Sequence, residues 1–138
     1  MARDLFHQTV REALETNGWT ITHDPFILKS GGLRMEVDLA AEQVFAADRG
    51  AEQIVVEVKS FLGKSKLNDF YEAKGQYDVY RRALKKEGIY RELYLAIDAD
   101  VFNSFFQKSL IAETMEEERV SLLVYDVPTK QIVQWITR

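Results

Sequence analysis

Two carboxylates and an amine stand where the sequence leaves them little water: Asp38 at the end of an alternating apolar segment, and Glu57-Val58-Lys59 at the end of a β-branched one. An unpaired charge carried into a core costs several kcal/mol, so charged residues in such segments need a reason. If the two segments are antiparallel neighbours, the three side chains converge in one cluster. Carboxylate oxygens are the hard ligands that magnesium or manganese prefers, with waters and substrate phosphate taking the remaining positions. In that geometry Asp38 and Glu57 hold the ion and the Val58 carbonyl can complete the shell. Lys59 then orients an attacking water or offsets charge developing on a phosphate. The chemistry is phosphodiester hydrolysis. An acid-x-lysine triplet alone occurs by chance, and a strand-end salt bridge explains it without chemistry. The series adds weight: an acid in a preceding strand, the triplet, then a helix carrying Gln76 and Tyr80 four residues apart on one face.

The elements that must position these groups follow from periodicity. Phe6, Val10, Ala13 and Leu14 predict a helix over 3–17, ended by Gly18. A strand with an irregular end, interrupted by Pro25, runs over 19–28, and Ser30-Gly31-Gly32 signals a turn. The clearest strand is 33–39, with Leu33, Met35, Val37 and Leu39 on one face and Arg34, Glu36 and Asp38 on the other. A weak stretch through Val44-Phe45-Ala46-Ala47 and an Asp48-Arg49-Gly50 turn lead to a buried strand over 53–59, where Val55, Glu57 and Lys59 point the same way. Ser65 caps a helix reaching about residue 86, its apolar seam Phe70, Ala73, Tyr77, Tyr80 and Leu84. A central strand over 92–97, one or two helices over 100–118, and strands over 121–125 and 131–136 complete the order α-β-β-β-α-β-α-β-β. Without internal repeat or linker, residues 1–138 read as a single α/β domain with a mixed sheet.

Composition sets the outer bounds. The 138 residues, 46% hydrophobic and 29% charged, suit one globular domain. Zero cysteines exclude a disulfide framework, a thiolate zinc site and a cysteine nucleophile. No apolar run reaches the roughly 18 residues of a spanning helix, and Met1-Ala2-Arg3-Asp4 does not open a signal peptide, so a cytoplasmic protein without membrane contact is expected. The net charge of -4 conceals an uneven spread: residues 59–91 hold nine basic and four acidic side chains. Lys59, Lys64, Lys66, Lys74, Arg81, Arg82, Lys85, Lys86 and Arg91 can supply a phosphate-binding face, or simply a solvated helix face.

On these residues the chain resembles the PD-(D/E)xK nuclease superfamily. Asp38 matches the strand acid, Glu57-Val58-Lys59 the acid-x-lysine signature, and Gln76 through Tyr80 a Gln-x-x-x-Tyr element; Val37 stands where a proline is usual. Glu12 in the first helix, Gly18-Trp19, Ser30-Gly31-Gly32, Asp38 and the triplet also look like the archaeal Holliday-junction resolvases, over the first half of the chain. Over almost the whole length the chain is similar to the cyanobacterial XisH family of fdxN-element excision controlling factors. The matching segments are Arg3-Asp4-Leu5-Phe6-His7, Ser30-Gly31-Gly32-Leu33-Arg34, Val56-Glu57-Val58-Lys59-Ser60-Phe61, Asp69-Phe70-Tyr71-Glu72-Ala73 and Val133-Gln134-Trp135-Ile136.

These resemblances imply a restriction-endonuclease-like fold, a central mixed sheet flanked by helices, with DNA, branched DNA included, as substrate and Mg2+ or Mn2+ as cofactor. They imply work beside a XisI-type companion protein and a site-specific recombinase in DNA rearrangement. They also promote Glu12 to a further ligand and Gln76 and Tyr80 to supports for Lys59 and the water. A homodimer is expected, because cutting two strands symmetrically needs two sites. The alternative is a catalytically inactive nuclease scaffold that regulates or binds protein partners, which the acidic net charge favours.

The remaining candidates have plainer readings. His7 and His23, the only histidines, fall in different elements and read as surface or capping residues without a role. Tyr80 also fits as a core residue with its hydroxyl satisfied. Ser30-Gly31-Gly32 can bring backbone amides to a phosphate but reads better as a simple turn, the stripe Val101, Phe102, Phe105 and Phe106 reads as packing or in part a partner or dimer surface, and Glu116-Glu117-Glu118 as a solvated helix end.

Overall fold

Buried Val10, Ala13 and Leu14 recur at helical spacing on α1 (His7–Thr16), and Gly18 closes it in a Schellman motif. There the Trp19 amide donates to the Leu14 carbonyl (3.0 Å) and the Gly18 amide to Glu15 (3.1 Å), with Gly18 at φ +89°. The computed structural model describes residues 4–46 and 50–138. The helix start at Arg3 and the Asp48-Arg49 part of the turn lie outside the described residues.

The chain continues as β1 (Thr20–His23), β2 (Phe26–Ser30), β3 (Leu33–Val37), β4 (Leu39–Ala46) and β5 (Gly50–Val58). Then come α2 (Lys66–Lys86), β6 (Glu92–Asp98), α3 (Ala99–Phe102), a 3-10 turn (Phe105–Gln107), α4 (Ser109–Glu117), β7 (Ser121–Asp126) and β8 (Gln131–Ile136). Six strands form one mixed sheet in the order β1-β4-β5-β6-β7-β8, and β2 pairs with β3 in a separate two-stranded hairpin. The β5-β6 and β6-β7 pairs are parallel; the others are antiparallel.

Two expected strands are therefore each divided. The irregular strand over 19–28 breaks around Asp24-Pro25 into β1, at the edge of the large sheet, and β2, in the hairpin. The strand over 33–39 breaks at Asp38, where the chain leaves the hairpin and enters the large sheet as β4. Its clean alternation misleads because the hairpin's outer surface is wet: Leu33 is well exposed, and Val37 alone of β3 is fully buried. β4 itself, opened by Leu39-Ala40-Ala41-Glu42-Gln43, has weak β-propensity and is held in place by pairing with β1 and β5.

Sheet alternation sends side chains to two cores. On one face Val10, Leu14 and Trp19 cover Leu39, Ile54, Val56, Val58, Tyr94 and Ala96. On the other, Phe70, Ala73, Tyr77, Tyr80 and Leu84 of α2, with Phe105, Phe106, Ile111 and Met115, cover Val55, Leu93, Leu95, Ile97, Leu122 and Val124. α2 is capped as its sequence predicts: the Ser65 hydroxyl accepts the Asn68 amide (3.1 Å), Asp69 sits in the first turn, and Lys85 and Lys86 sit in the last. Tyr77 ties the helix to the sheet, its hydroxyl donating to the Leu93 carbonyl (3.0 Å) and accepting the Ser121 amide (3.1 Å). α2 and α4 end in the same Schellman pattern as α1, with Gly88 (φ +68°) after α2 but Arg119 (φ +53°) after α4. Among the described residues no helix is long and apolar enough to cross a membrane.

Candidate metal centre

The antiparallel β4-β5 register, Leu39 opposite Val56, brings Asp38 level with Glu57 one residue beyond the ladder. Residues facing each other across such a pair project to the same side. The two acids clasp each other's backbone. The Val58 amide donates to Asp38 Oδ2 (2.8 Å), and the Asp38 amide donates to Glu57 Oε1 (3.3 Å). Val56 and Val58 pack into the α1-side core while Val55 enters the α2-side core, so Glu57 projects beneath α2. It is buried, with 8% of its surface exposed, whereas Asp38 is partly open.

Burial raises the Glu57 carboxyl to about 9, and the neighbouring Asp38 charge, with a smaller effect from Asp4, adds to it. At neutral pH the Glu57 carboxyl therefore retains its proton. Tyr80, on the buried face of α2, also has its phenol proton held more tightly, first by burial and then by the charges of Glu57 and Asp38. Its hydroxyl donates to the Glu36 carbonyl (3.4 Å), the satisfied-core arrangement, at the margin of the acidic pair.

Lys59 continues the β5-β6 ladder, its amide donating to the Ala96 carbonyl (3.2 Å). Its ammonium lies 3.2 Å from Glu72 Oε1 on α2. Glu72, Gln76 and Tyr80 recur at four-residue spacing, so one stripe of α2 overlies the strand end. Gln76 is half-buried in that stripe, without a hydrogen bond among the described residues. After Lys59 the chain is pinned twice. The Ser60 amide donates to Asp4 Oδ2 (2.8 Å), and Phe61, fully buried at φ +56°, packs against Phe105 and Phe106. A buried non-glycine residue at positive φ is costly and persists only where its surroundings over-determine it.

Glu12 is placed elsewhere: its carboxylate lies 3.0 Å from Lys130 Nζ and also receives Gln8 (3.5 Å). The residue that α1 does bring to the acids is His7, and this corrects its reading as a surface or capping residue. His7 is only 3% exposed. Its Nε2 is 2.8 Å from Asp24 Oδ1, and Asp24 Oδ2 is 2.6 Å from Arg11 Nη1. Its Nδ1, without a hydrogen bond, lies 3.7 Å from Asp38 Oδ1. Interaction with Asp38, followed by that with Asp24, raises the imidazole's proton affinity against the opposing effect of burial. The signal existed in the sequence, since His7 stands three residues before Val10 on the stripe that Val10 and Leu14 continue. Asp24 and Arg11 carried no such signal, because their convergence depends on where β1 ends.

Among the described residues no three histidine, aspartate or glutamate side chains form a ready-made metal cage. The donor set that does converge is two carboxylates, sufficient for magnesium, which keeps waters and substrate oxygens in its shell. Its chemistry suits a divalent cation: two acids are forced together, one is buried enough to retain a proton, and the nearby ammonium is directed to Glu72. A cation between them would release that proton and replace the missing positive charge.

Residues 1–133 match the family described as XisH protein. Two solved structures are similar at 42% identity and a TM-score of 0.88. One is an XisH family protein from Nostoc punctiforme PCC 73102, with 97% of this chain and all of that one covered. The other is an fdxN element excision controlling factor protein from Anabaena variabilis, with 98% of this chain and all of that one covered. No curated protein matches the chain.

Proposed function

The chain belongs to the XisH family, and from that premise we propose that it is a magnesium- or manganese-dependent endonuclease of PD-(D/E)xK type, with a restriction-endonuclease-like fold, acting on DNA during element excision. The supporting observation is the Asp38–Glu57 clasp, two carboxyl groups brought together at adjoining strand ends, one of them buried. The excision role named for the Anabaena variabilis relative supplies the context.

A bound divalent cation would supply Lewis acidity at the scissile phosphate. Asp38 and Glu57 would present the oxygens that hold it, and Glu57 would have to be ionised to do so. Asp38 is oriented from behind by the Val58 amide, and His7 flanks it. Lys59, drawn from Glu72 by an incoming phosphate, stabilises the charge that builds on the non-bridging oxygens. Gln76 and Tyr80 line the approach from α2. Water adds to phosphorus as the P–O bond to the leaving strand breaks; the attacking water's proton passes to solvent and the departing oxygen takes a proton from solvent. The protein would work as a homodimer in the cytoplasm, with a XisI-type companion and a site-specific recombinase as partners.

One observation favours a second reading, a nuclease-fold regulatory or binding module without catalysis: Lys59 is paired with Glu72 rather than turned to the acids. Linear and branched DNA, incubated with Mg2+ or Mn2+ and wild type, Asp38→Ala, Glu57→Ala or Lys59→Ala, separate the two. Metal-dependent cleavage lost in all three variants supports the enzyme. Absence of cleavage by the wild type, with excision still supported by the variants, supports the module.

A further inference from the structure

A cleft of about 790 Å³ opens where the end of α2 meets the start of β6 and the corner between α4 and β7. β5 and β6 run parallel, with Ile54 beside Glu92 and Glu57 beside Leu95. The cleft therefore lies at the opening end of β6, away from the strand ends that carry Glu57 and Lys59, and neither they nor Asp38 line it.

Its surface has two characters. Leu84, Ile89 and the Tyr77 ring form an apolar wall, while Arg81, Lys85, Arg91 and Arg119 bring cations to it. Glu92 is its one carboxylate side chain among the described residues, and Glu92 Oε1 is engaged by the Ser121 hydroxyl (2.6 Å). Arg81 is committed, donating to the Arg119 carbonyl (2.8 Å) and lying 3.6 Å from Asp78 Oδ1, and the Arg91 guanidinium lies over Phe26. Lys85 and Arg119 have no ion-pair partner among the described residues. Tyr90, on the same lip, is 97% exposed.

Arg119 occupies a position its neighbours leave to glycine. The equivalent residues after α1 and α2 are Gly18 and Gly88, yet after α4 an arginine takes φ +53°. A side chain retained against backbone preference, unpaired beside an open cleft, points to a ligand-facing use.

Unpaired cations beside an apolar wall and a bare aromatic ring match an anion bearing a flat base. We propose that the cleft binds a nucleoside phosphate unit of a single nucleic-acid strand, phosphate on Lys85 and Arg119, base against Tyr90. An adjoining hollow of about 470 Å³ is lined by Arg81, Arg82 and Lys85 together with Asp78 and Glu118; both acids are paired with Lys74, so Arg82, which has no ion-pair partner among the described residues, offers a neighbouring phosphate its own cation and favours a strand over a free nucleotide. This site does not rest on the metal-centre reading.

The test is fluorescence anisotropy of a labelled oligo-dT octamer in EDTA, beside an abasic octamer of equal phosphate count, with AMP and polyglutamate as competitors. Lys85→Glu and Arg119→Gly each weaken octamer binding about tenfold and lower the salt slope by roughly 0.7 for each phosphate that is no longer neutralised. Tyr90→Ala weakens the dT octamer by about fivefold or more and leaves the abasic strand unchanged. Because glycine suits φ +53°, Arg119→Gly keeps or raises the melting temperature, so weaker binding there does not stem from a failure to fold. Lys85→Glu and Arg119→Gly bind Mn2+ like wild type, which separates this outcome from that of the metal centre. The proposal is overturned by affinities unchanged in the Lys85 and Arg119 variants, or by equal effects of Tyr90→Ala on both strands. Competition by AMP or polyglutamate as effective as by unlabelled octamer overturns it too.

Discussion

Replacing Glu57 by glutamine should make the metal-free protein more stable while removing its metal site. The glutamine carbonyl can still accept the Asp38 amide, and its N–H can donate to the Asp38 carboxylate, so the clasp survives without the second charge. Glu57 holds its proton to about pH 9 in the fold, against roughly 4.3 in the unfolded chain. Between those values the native state binds a proton that the unfolded state has released, so this group's contribution to stability falls as pH rises. The slope is at most about 1.4 kcal/mol per pH unit. From pH 5.5 to 7.5 wild type should lose up to roughly 3 kcal/mol relative to Glu57→Gln, about 10 °C in melting temperature for a domain of this size. Circular-dichroism melts of both proteins in EDTA at several pH values give that difference directly. With Mn2+ at 100 times its dissociation constant, wild type regains about 2.7 kcal/mol and the variant regains nothing. A melting difference that stays constant between pH 5.5 and 7.5, or a variant less stable throughout, would refute the reasoning.

Further expectations follow from single contacts. His7 has a raised proton affinity, so the stability it supplies through Asp38 and Asp24 is full below pH about 6.5 and fades as pH rises through its higher native midpoint. His7→Leu should therefore cost most at pH 5 to 6 and least above pH 8, and an NMR titration of the His7 ring with a midpoint below 6.5 would contradict this. Tyr77→Phe removes the bond to Leu93 and leaves the Ser121 amide unsatisfied, costing about 1–3 kcal/mol in urea unfolding with unchanged Mn2+ affinity. Glu72→Gln frees Lys59 from a half-exposed pair, so stability should move by under about 1 kcal/mol while cleavage is kept or increased. Loss of cleavage in that variant would show that Glu72 itself serves the reaction. Glu12→Ala should leave both Mn2+ binding and cleavage intact, since its carboxylate is engaged with Lys130.

The convergence of Asp38 and Glu57 was legible because antiparallel strands with burial on both sides leave few alternatives for where an acid at each end can go. The α2 seam was legible too, down to Tyr77 and Tyr80, because 21 residues hold the helical period without interruption. β4 was not, since Ala40-Ala41-Glu42-Gln43 reads as nothing in particular until β1 and β5 enclose it. Nor was the break at Asp38: alternation reports two-sidedness but not which sheet a strand joins. Lys59 shows the limit for side chains. Strand parity gave its direction, but the partner it meets, Glu72, depends on how α2 crosses the sheet. His7 escapes a reading by residue type, because what matters for a lone histidine here is its place on the buried stripe of α1.

The most direct test of the account is a titration of the metal-free protein with Mn2+ followed by electron paramagnetic resonance. One ion bound per chain in the wild type, with binding abolished by Asp38→Asn and by Glu57→Gln, is the predicted result. Wild type that leaves millimolar Mn2+ free, or variants that bind it as well as the wild type, would contradict it.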